Sequence, residues 1–518
     1  MKSKNLKTFM GIAFIALATT SCKKSLELVN PNQQTAQSFW KTQNDAVMGV
    51  NAAYSSLITD GTYMRFTPLL QNVPGDDIRS QSPWGAMAGA AKFTLGTADM
   101  AGYGWSYETY YQGVNRANQV LDNVPNIEMD AEVKKVLLGQ AHFLRGLYFF
   151  HLVNFFGNVA LPINEPKSSA DFLKPQKTEA EAWEQVMADM KAAASMLPTA
   201  YTNVADKGRA TKGAAMTYLG KALLFNKKYT EAAAQFKAVI DLGIYDLMPN
   251  YKDNFTVNFE NNKESIFEVQ FSVTPGVGGT DDAWGGAPSA TWARASARAI
   301  TFAPRGFGWV DVQPTFSVLA EFQQEKTAAN ELDPRLDATI FYNKPGAKIY
   351  GQLYTEFYKN NVNDLNEIYC KKYQNGDGNK VNEFDWKSGI NERIMRYADV
   401  LLMYAECQNE LGNRADAAKY VQMIRTRVGL PNRQGEFAGL SQAQFREQLG
   451  HERLLEFCLE GHRFDDIKRW GWLKDPVKLA WLKSRDAEFN GFQAGREYFP
   501  IPQNEIDNNP GFKQNPTY

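Results

Sequence analysis

The apolar positions of this chain fall into two regimes. In the first they recur with helical spacing over stretches long enough to bury one face. This predicts helices over 45–57, over 108–124 with Pro125 beyond it, and over 130–156. In the last, Val133, Val136, Leu137, Phe143, Leu144 and Leu147 make a wide apolar stripe, and Gly157 ends the helix. A further helix over 179–197 stops at Pro198. Two closer pairs follow. One joins 211–226 to 231–242 through Lys227-Lys228-Tyr229, with Thr230 as the expected cap, and the other joins 397–411 to 413–428 through Gly412. Ala214, Ala215, Ala222, Ala232 and Ala233 in the first pair, and Ala415, Ala417 and Ala418 in the second, are small enough for antiparallel helices to approach closely.

In the second regime, 63–107 and 271–316 show no sustained period and are loaded with Gly, Pro, Trp, Asp and Arg. Structureless loops longer than about 15 residues are uncommon in compact domains and are usually functional or disordered. Rings this dense argue against disorder. The helix pairs resemble tetratricopeptide repeats, although they are neither tandem nor regular. The predicted architecture is therefore mainly α, with helix pairs around 108–242 and 397–460 as a scaffold, long irregular loops around 63–107 and 271–316 as the binding surface, and minor β content.

The first residues change the picture of where the chain works. Lys2, Lys4 and Lys7 precede an uncharged, mostly apolar run over 9–20, which is too short to span a bilayer. The run ends in Thr19-Thr20-Ser21-Cys22, which resembles a bacterial lipobox with Thr19 in place of the usual Leu. The expectation is a signal peptide over 1–22, lipidation of Cys22, a polar tether over 23–32 and a single body over 33–518. No later segment has the length and apolarity of a membrane span. Cys370, Cys407 and Cys458 fit no CxxC spacing and read as small apolar residues. The net charge of −1 gives no general attraction for nucleic acid.

Four segments carry a family resemblance. They are the run from Ala141 to Phe149 (AHFLRGLYF) continuing to Phe156-Gly157-Asn158, the run from Arg396 to Glu406 (RYADVLLMYAE), the run from Glu452 to Phe457 followed by Glu460-Gly461-His462-Arg463-Phe464-Asp465-Asp466, and the tail Phe499-Pro500-Ile501-Pro502 with Asn509-Pro510. In this order, with Phe39-Trp40 and the lipobox, the chain resembles the SusD/RagB family of outer-membrane nutrient-binding lipoproteins. The resemblance implies a lipid-anchored protein at the cell surface. It further implies that the protein binds oligosaccharide and serves a TonB-dependent, SusC-like outer-membrane transporter; separately, the lack of nucleotide-binding and metal-ligand motifs leaves no cofactor expected. Within these segments Arg396, Asp399, Arg453, Glu456, Arg463 and Asp465 have the spacing for structural charge pairs.

Motifs for catalysis do not appear. His142, His151, His451 and His462 form no metal-ligand spacing, and there is neither a GxSxG elbow nor a phosphate-binding loop. Asn375 to Asn379 lies in a run that lacks the Gly and Glu of a calcium loop, with Lys380 and Trp386 in their places. Glycoside hydrolysis requires paired carboxylates, for which Asp76-Asp77 and Asp281-Asp282 are the candidates, so a surface-anchored hydrolase stands as an alternative. A ligand-free structural partner of the transporter is another.

Sugars present apolar C–H faces and a rim of hydroxyls, and are held by aromatic rings with charged or amide groups at the rim. The aromatic content of 13% leaves rings available for such a surface. The first irregular stretch supplies Asp76, Asp77, Arg79, Trp84, Tyr103 and Trp105; the second supplies Asp281, Trp284, Trp292, Arg294, Arg298, Arg305, Phe307, Trp309 and Asp311. On this chemistry the ligand-binding candidates are Asp77, Arg79, Trp84, Trp284 and Trp309, with no catalytic or metal-binding residue expected.

Overall fold

The computed structural model describes residues 39–274, 294–375 and 388–518. Its principal elements, in chain order, are α1 (Gln43–Ser55), α2 (Phe66–Asn72), β1 (Ile78–Ser80), α3 (Gly85–Ala91), α4 (Tyr103–Asn123), α5 (Ala131–Phe156), α6 (Glu179–Met196), α7 (Lys212–Phe225), α8 (Tyr229–Asp241), β2 (Ser265–Val269), β3 (Val312–Pro314), β4 (Glu392–Arg396), α9 (Tyr397–Glu410), α10 (Arg414–Arg427), α11 (Gln442–Phe457) and α12 (Arg463–Arg469).

Local chemistry sets the helix ends. Asp130 accepts from the Val133 N–H at 2.9 Å at the start of α5. Thr178 and Glu181 form a reciprocal capping box at α6. Thr211 accepts from the Ala214 N–H at 3.2 Å at α7. Thr230 does not cap α8 as the sequence predicted. The turn closes early, with Lys227 at φ 58° and the Lys228 N–H bonded to Leu223 O at 2.9 Å, so α8 starts at Tyr229 and Thr230 lies inside its first turn.

Each helix from α4 to α10 packs on the next, including α8 on α9 across the long insertion between them. Pairs that are scattered in sequence thus stack as one array, and their apolar faces merge into one core. The small residues have the expected use: a Cβ on Gly220 of α7 would lie 2.6 Å from the Phe236 ring of α8. The β content is minor, as two-stranded antiparallel pairs. The pairing of β4 with β2 ties the start of α9 to the insertion, and the pairing of β1 with β3 opposes Arg79 to Gln313. Among the described residues no helix is long and apolar enough to cross a membrane.

The charged residues of the family segments are buried in a network between helices. Arg453 donates to Asp399 at 2.7 Å, and Arg396 to Glu456 at 2.9 Å and Glu460 at 2.7 Å. Arg335 and Arg427 converge on the same Glu456, at 3.2 and 2.5 Å. Asp465 instead accepts from Asn154 at 2.7 Å, and Arg463 leaves the helices to reach Asp76. Unpaired, any of these buried charges would be costly, so the network fixes how α9, α10 and α11 sit together.

Candidate functional site

The two stretches predicted to be irregular are brought together by the β1–β3 pair. Past its end the Gln81 N–H donates to Asp311 O at 2.8 Å, and nearby the Ala297 N–H donates to Met64 O at 2.9 Å. Neither stretch is structureless. The first contains α2, β1, α3 and the first turn of α4, and the second contains a short helix at Arg298–Phe302 as well as β3. The sequence hid α3 because Gly-Ala-Met-Ala-Gly-Ala-Ala carries too few large apolar residues to show a period.

Trp84 stands at the start of α3, half-buried. Its ring meets Phe66 edge-on at 5.4 Å and Trp105 at 6.0 Å. Trp105, on the first turn of α4, also meets Phe66 at 5.4 Å and remains 40% exposed. Beneath them the Arg65 guanidinium lies 4.3 Å from the Phe66 ring centre and 5.6 Å from that of Trp84, and its Nε donates to Asp60 at 2.7 Å. Phe66 is thus a buried floor, Trp84 and Trp105 are two half-open indole walls, and the buried Arg65–Asp60 pair supports them from below. Trp309, half-buried, packs against the main core with its N–H bonded to Ile300 O at 2.9 Å. The backbone pairing of Gln81 with Asp311 sets Trp84 and Trp309 on converging segments.

The polar candidates have other positions. Asp77 is only 1% exposed, and its Oδ1 has no hydrogen-bond partner. Burial, reinforced by the neighbouring Asp76 charge, pushes its carboxyl up to about 7. A buried acid cannot meet a ligand at the surface, so Asp77 serves through its backbone, accepting from the Thr315 N–H at 2.9 Å. Arg79 is ion-paired with Glu367 and donates to Gln313 at 3.1 Å, which makes it a strut between β1 and the segment after β3. Trp284, Trp292, Asp281 and Asp282, like Cys22, the tether and most of the run after Asn375, lie outside the described residues. Trp105 is the residue that sequence reasoning named without selecting; its place one turn into a helix, opposite Trp84, is set by tertiary packing.

Among the described residues no three His, Cys, Asp or Glu side chains gather as metal ligands would. The histidines sit in the scaffold: His142 bonds Asp189 at 2.8 Å, and His451 lies between Glu321 and Glu325 at 2.8 and 3.2 Å.

A stack of helix pairs that holds a loop face with half-open indole rings is the build of a scaffolded binding protein, and comparison with known proteins gives the same class. A model described as the SusD family matches residues 263–518, and one described as starch-binding associating with outer membrane matches residues 71–224. The chain belongs to the SusD/RagB family, a family of glycan-binding proteins. It is 26% identical to SusD-like protein P25 of Formosa agariphila over 546 residues, covering 98% of each chain. Among solved structures, a SusD superfamily protein from Bacteroides vulgatus superposes with a TM-score of 0.80 at 26% identity, over 93% of this chain and 100% of the other. A laminarin-binding SusD-like protein superposes with a TM-score of 0.73 at 26% identity, over 92% and 100%.

Proposed function

We propose that this protein captures oligosaccharides at the cell surface on the face formed by Trp84, Trp105 and Trp309, with Trp284 as a further contact, and passes them to a TonB-dependent, SusC-like transporter of the outer membrane. The observation that carries this reading is the Trp84–Trp105 pair: two indoles 6.0 Å apart over a buried Phe66. Indole faces stack on the apolar faces of pyranose rings, and the buried Arg65–Asp60 pair holds Phe66 and Trp84 in place from beneath. The laminarin-binding relative supports a sugar as the ligand. Cys22 carries the lipid anchor in this account, and the chain performs no chemistry on its cargo. Of the carboxylates a hydrolase would need, Asp76 is engaged by two arginines, Asp77 is buried, and Asp281-Asp282 lie outside the described residues.

The test has two parts. The chain from residue 23 onward, screened on a glycan array, should bind an oligosaccharide and return it intact after prolonged incubation. The full-length protein, extracted from native membranes in mild detergent, should bring a large β-barrel protein with it. Release of reducing sugar would favour the hydrolase, and recovery of the lipoprotein alone would contradict the transporter assignment.

A further inference from the structure

A second concavity lies apart from the indole pair. It is a cleft of about 360 Å³ between the end of α1, the loop at 205–209 and β2, within the roughly 300–1,000 Å³ of small-molecule sites. It shares no lining residue with the aromatic face.

Its walls are rigid. The Gln270 amide accepts from Asn261 and Asn391 at 2.9 and 3.0 Å and donates to Asn261 at 3.1 Å. Gly208, at φ +89°, presses its backbone onto that amide, where a Cβ would lie 2.5 Å from Gln270 Cδ. Only glycine lets the loop close there. The closure sets Lys207 and Arg209 on the rim. Arg209 is held by Asp206 at 2.8 Å, Asn51 at 2.9 Å and Gln140 at 3.1 Å, with its guanidinium 5.6 Å from the Tyr54 ring centre. Three of its five N–H groups are thereby used, and two remain.

The charge balance of the cleft is positive. Its lining cations are Lys207, Arg209 and Arg294, and its lining carboxylate is Glu268. Glu268 is buried and already paired with Arg393 at 3.1 Å, and Arg209 is balanced by Asp206. Lys207 and Arg294 are both exposed, and among the described residues neither has a carboxylate within ion-pair distance. Two cations with no ion-pair partner among the described residues, beside fixed amides and a tyrosine ring, suit a sugar that carries an oxyanion, because guanidinium groups grip carboxylates and sulfate esters through paired N–H donors.

We infer that this cleft binds the anionic group of an acidic oligosaccharide, with Arg294 and Lys207 on the carboxylate or sulfate ester and Arg209, Tyr54 and Gln270 along the sugar. The inference rests on the proposed glycan capture for the carrier of the anion; the preference for the anion rests on the cleft alone.

Calorimetry on the chain from residue 23 onward tests it with three probes: a galacturonate trisaccharide, a sulfated galactotriose and neutral galactotriose. The acidic probes should bind about ten-fold more tightly than the neutral one, and added salt should erode the difference. Arg294→Ala should abolish the preference and Lys207→Ala should reduce it. Both side chains are exposed, so both variants should fold as the parent does. Which acidic probe binds better distinguishes a carboxylate from a sulfate ester. Equal affinity for all three probes, or a preference intact in Arg294→Ala, would overturn the assignment of the cleft. Trp84→Ala separates the two readings. If it weakens all three probes alike and spares the preference, both stand. If it changes nothing while Arg294→Ala abolishes binding of the acidic probes, the cleft stands and the aromatic face does not.

Discussion

Arg463 Nε donates to Asp76 Oδ1 at 2.5 Å, across 387 residues of sequence. The contact ties the family segment at α12 to the residues just before β1, and Arg485 binds the other carboxylate oxygen at 2.6 Å. Burial opposes ionisation of Asp76, but the charge and hydrogen bonds of Arg463, joined by Arg485, outweigh it and hold the carboxyl below its usual range. The backbone carbonyls of Asp76 and Asp77 in turn anchor Thr315, each at 2.9 Å. One ion cluster thus fixes β1 and β3, and with them the segments that bear Trp84 and Trp309.

Removing that anchor should be expensive. Asp76→Ala leaves the buried Arg463 guanidinium without its carboxylate, while Arg485 keeps Glu321 at 2.6 Å; breaking a buried pair costs about 3–5 kcal/mol. Urea denaturation followed by circular dichroism measures it. A loss below about 1 kcal/mol would show that the cluster does not hold the loops.

Arg79 and Glu367 should behave as one unit. If Arg79 is a strut, Arg79→Ala and Glu367→Ala weaken glycan binding to the same small extent, and the double variant is no worse than either alone. A large loss of binding in Arg79→Ala with none in Glu367→Ala would instead make Arg79 a direct ligand contact.

Two buried histidines predict the response to acid. His151 is hydrogen-bonded through Nε2 to the Tyr63 hydroxyl at 2.5 Å and stacked on Tyr110. Burial, with a smaller push from Lys221, takes it down to about 3. Burial likewise takes His462 down to about 4, although Asp399 opposes the shift. In the unfolded chain both titrate near 6.5, so below that pH the unfolded state binds protons that the folded state refuses. Stability therefore falls as pH drops from 6.5 toward those values, by roughly 1.4 kcal/mol per pH unit for each histidine. His151→Phe should reduce the slope between pH 6 and 4.5 by about one proton, whatever its effect on stability at pH 7. An unchanged slope would contradict the assignment.

His451 has the opposite sign. Burial disfavours its charge, but the hydrogen bonds it donates to Glu321 and Glu325 outweigh that and push it up to about 9. Its contribution is fully present below about 6.5 and is lost as pH rises through about 9. His451→Gln should thus narrow the difference in melting temperature between pH 6.5 and pH 9, and a difference equal to that of the parent would refute the link.

The scaffold was legible in the sequence because its signals are local. Asp130, the Thr178–Glu181 box and the apolar stripe of α5 each act within a few residues of where they stand. The proposed binding face could be read from composition but not in its arrangement. The sequence singled out Trp84 and Trp309 as candidates, which the structure leaves half-buried, and read Asp77 as a polar group for a sugar rim, whereas the structure buries it. The Asp76 carboxylate beside it is held by Arg463 and Arg485, 387 and 409 residues away, and no short-range pattern reports that. The pairing of Trp105 with Trp84 was hidden for the same reason, since it depends on how α3 meets the first turn of α4.

The central claim, sugar capture by stacking on the indole face, is tested most directly by calorimetry. The best ligand from the array is titrated into the chain from residue 23 onward and into Trp84→Ala, Trp105→Ala and Trp309→Ala, each shown to be folded by circular dichroism. Loss of a stacking ring should cost roughly 1–3 kcal/mol, as truncation of a desolvated aromatic anchor does. The account predicts losses in that range for Trp84 and Trp105, and for Trp309 at least a measurable one. Affinity unchanged in all three variants would contradict it and place the ligand elsewhere on the protein.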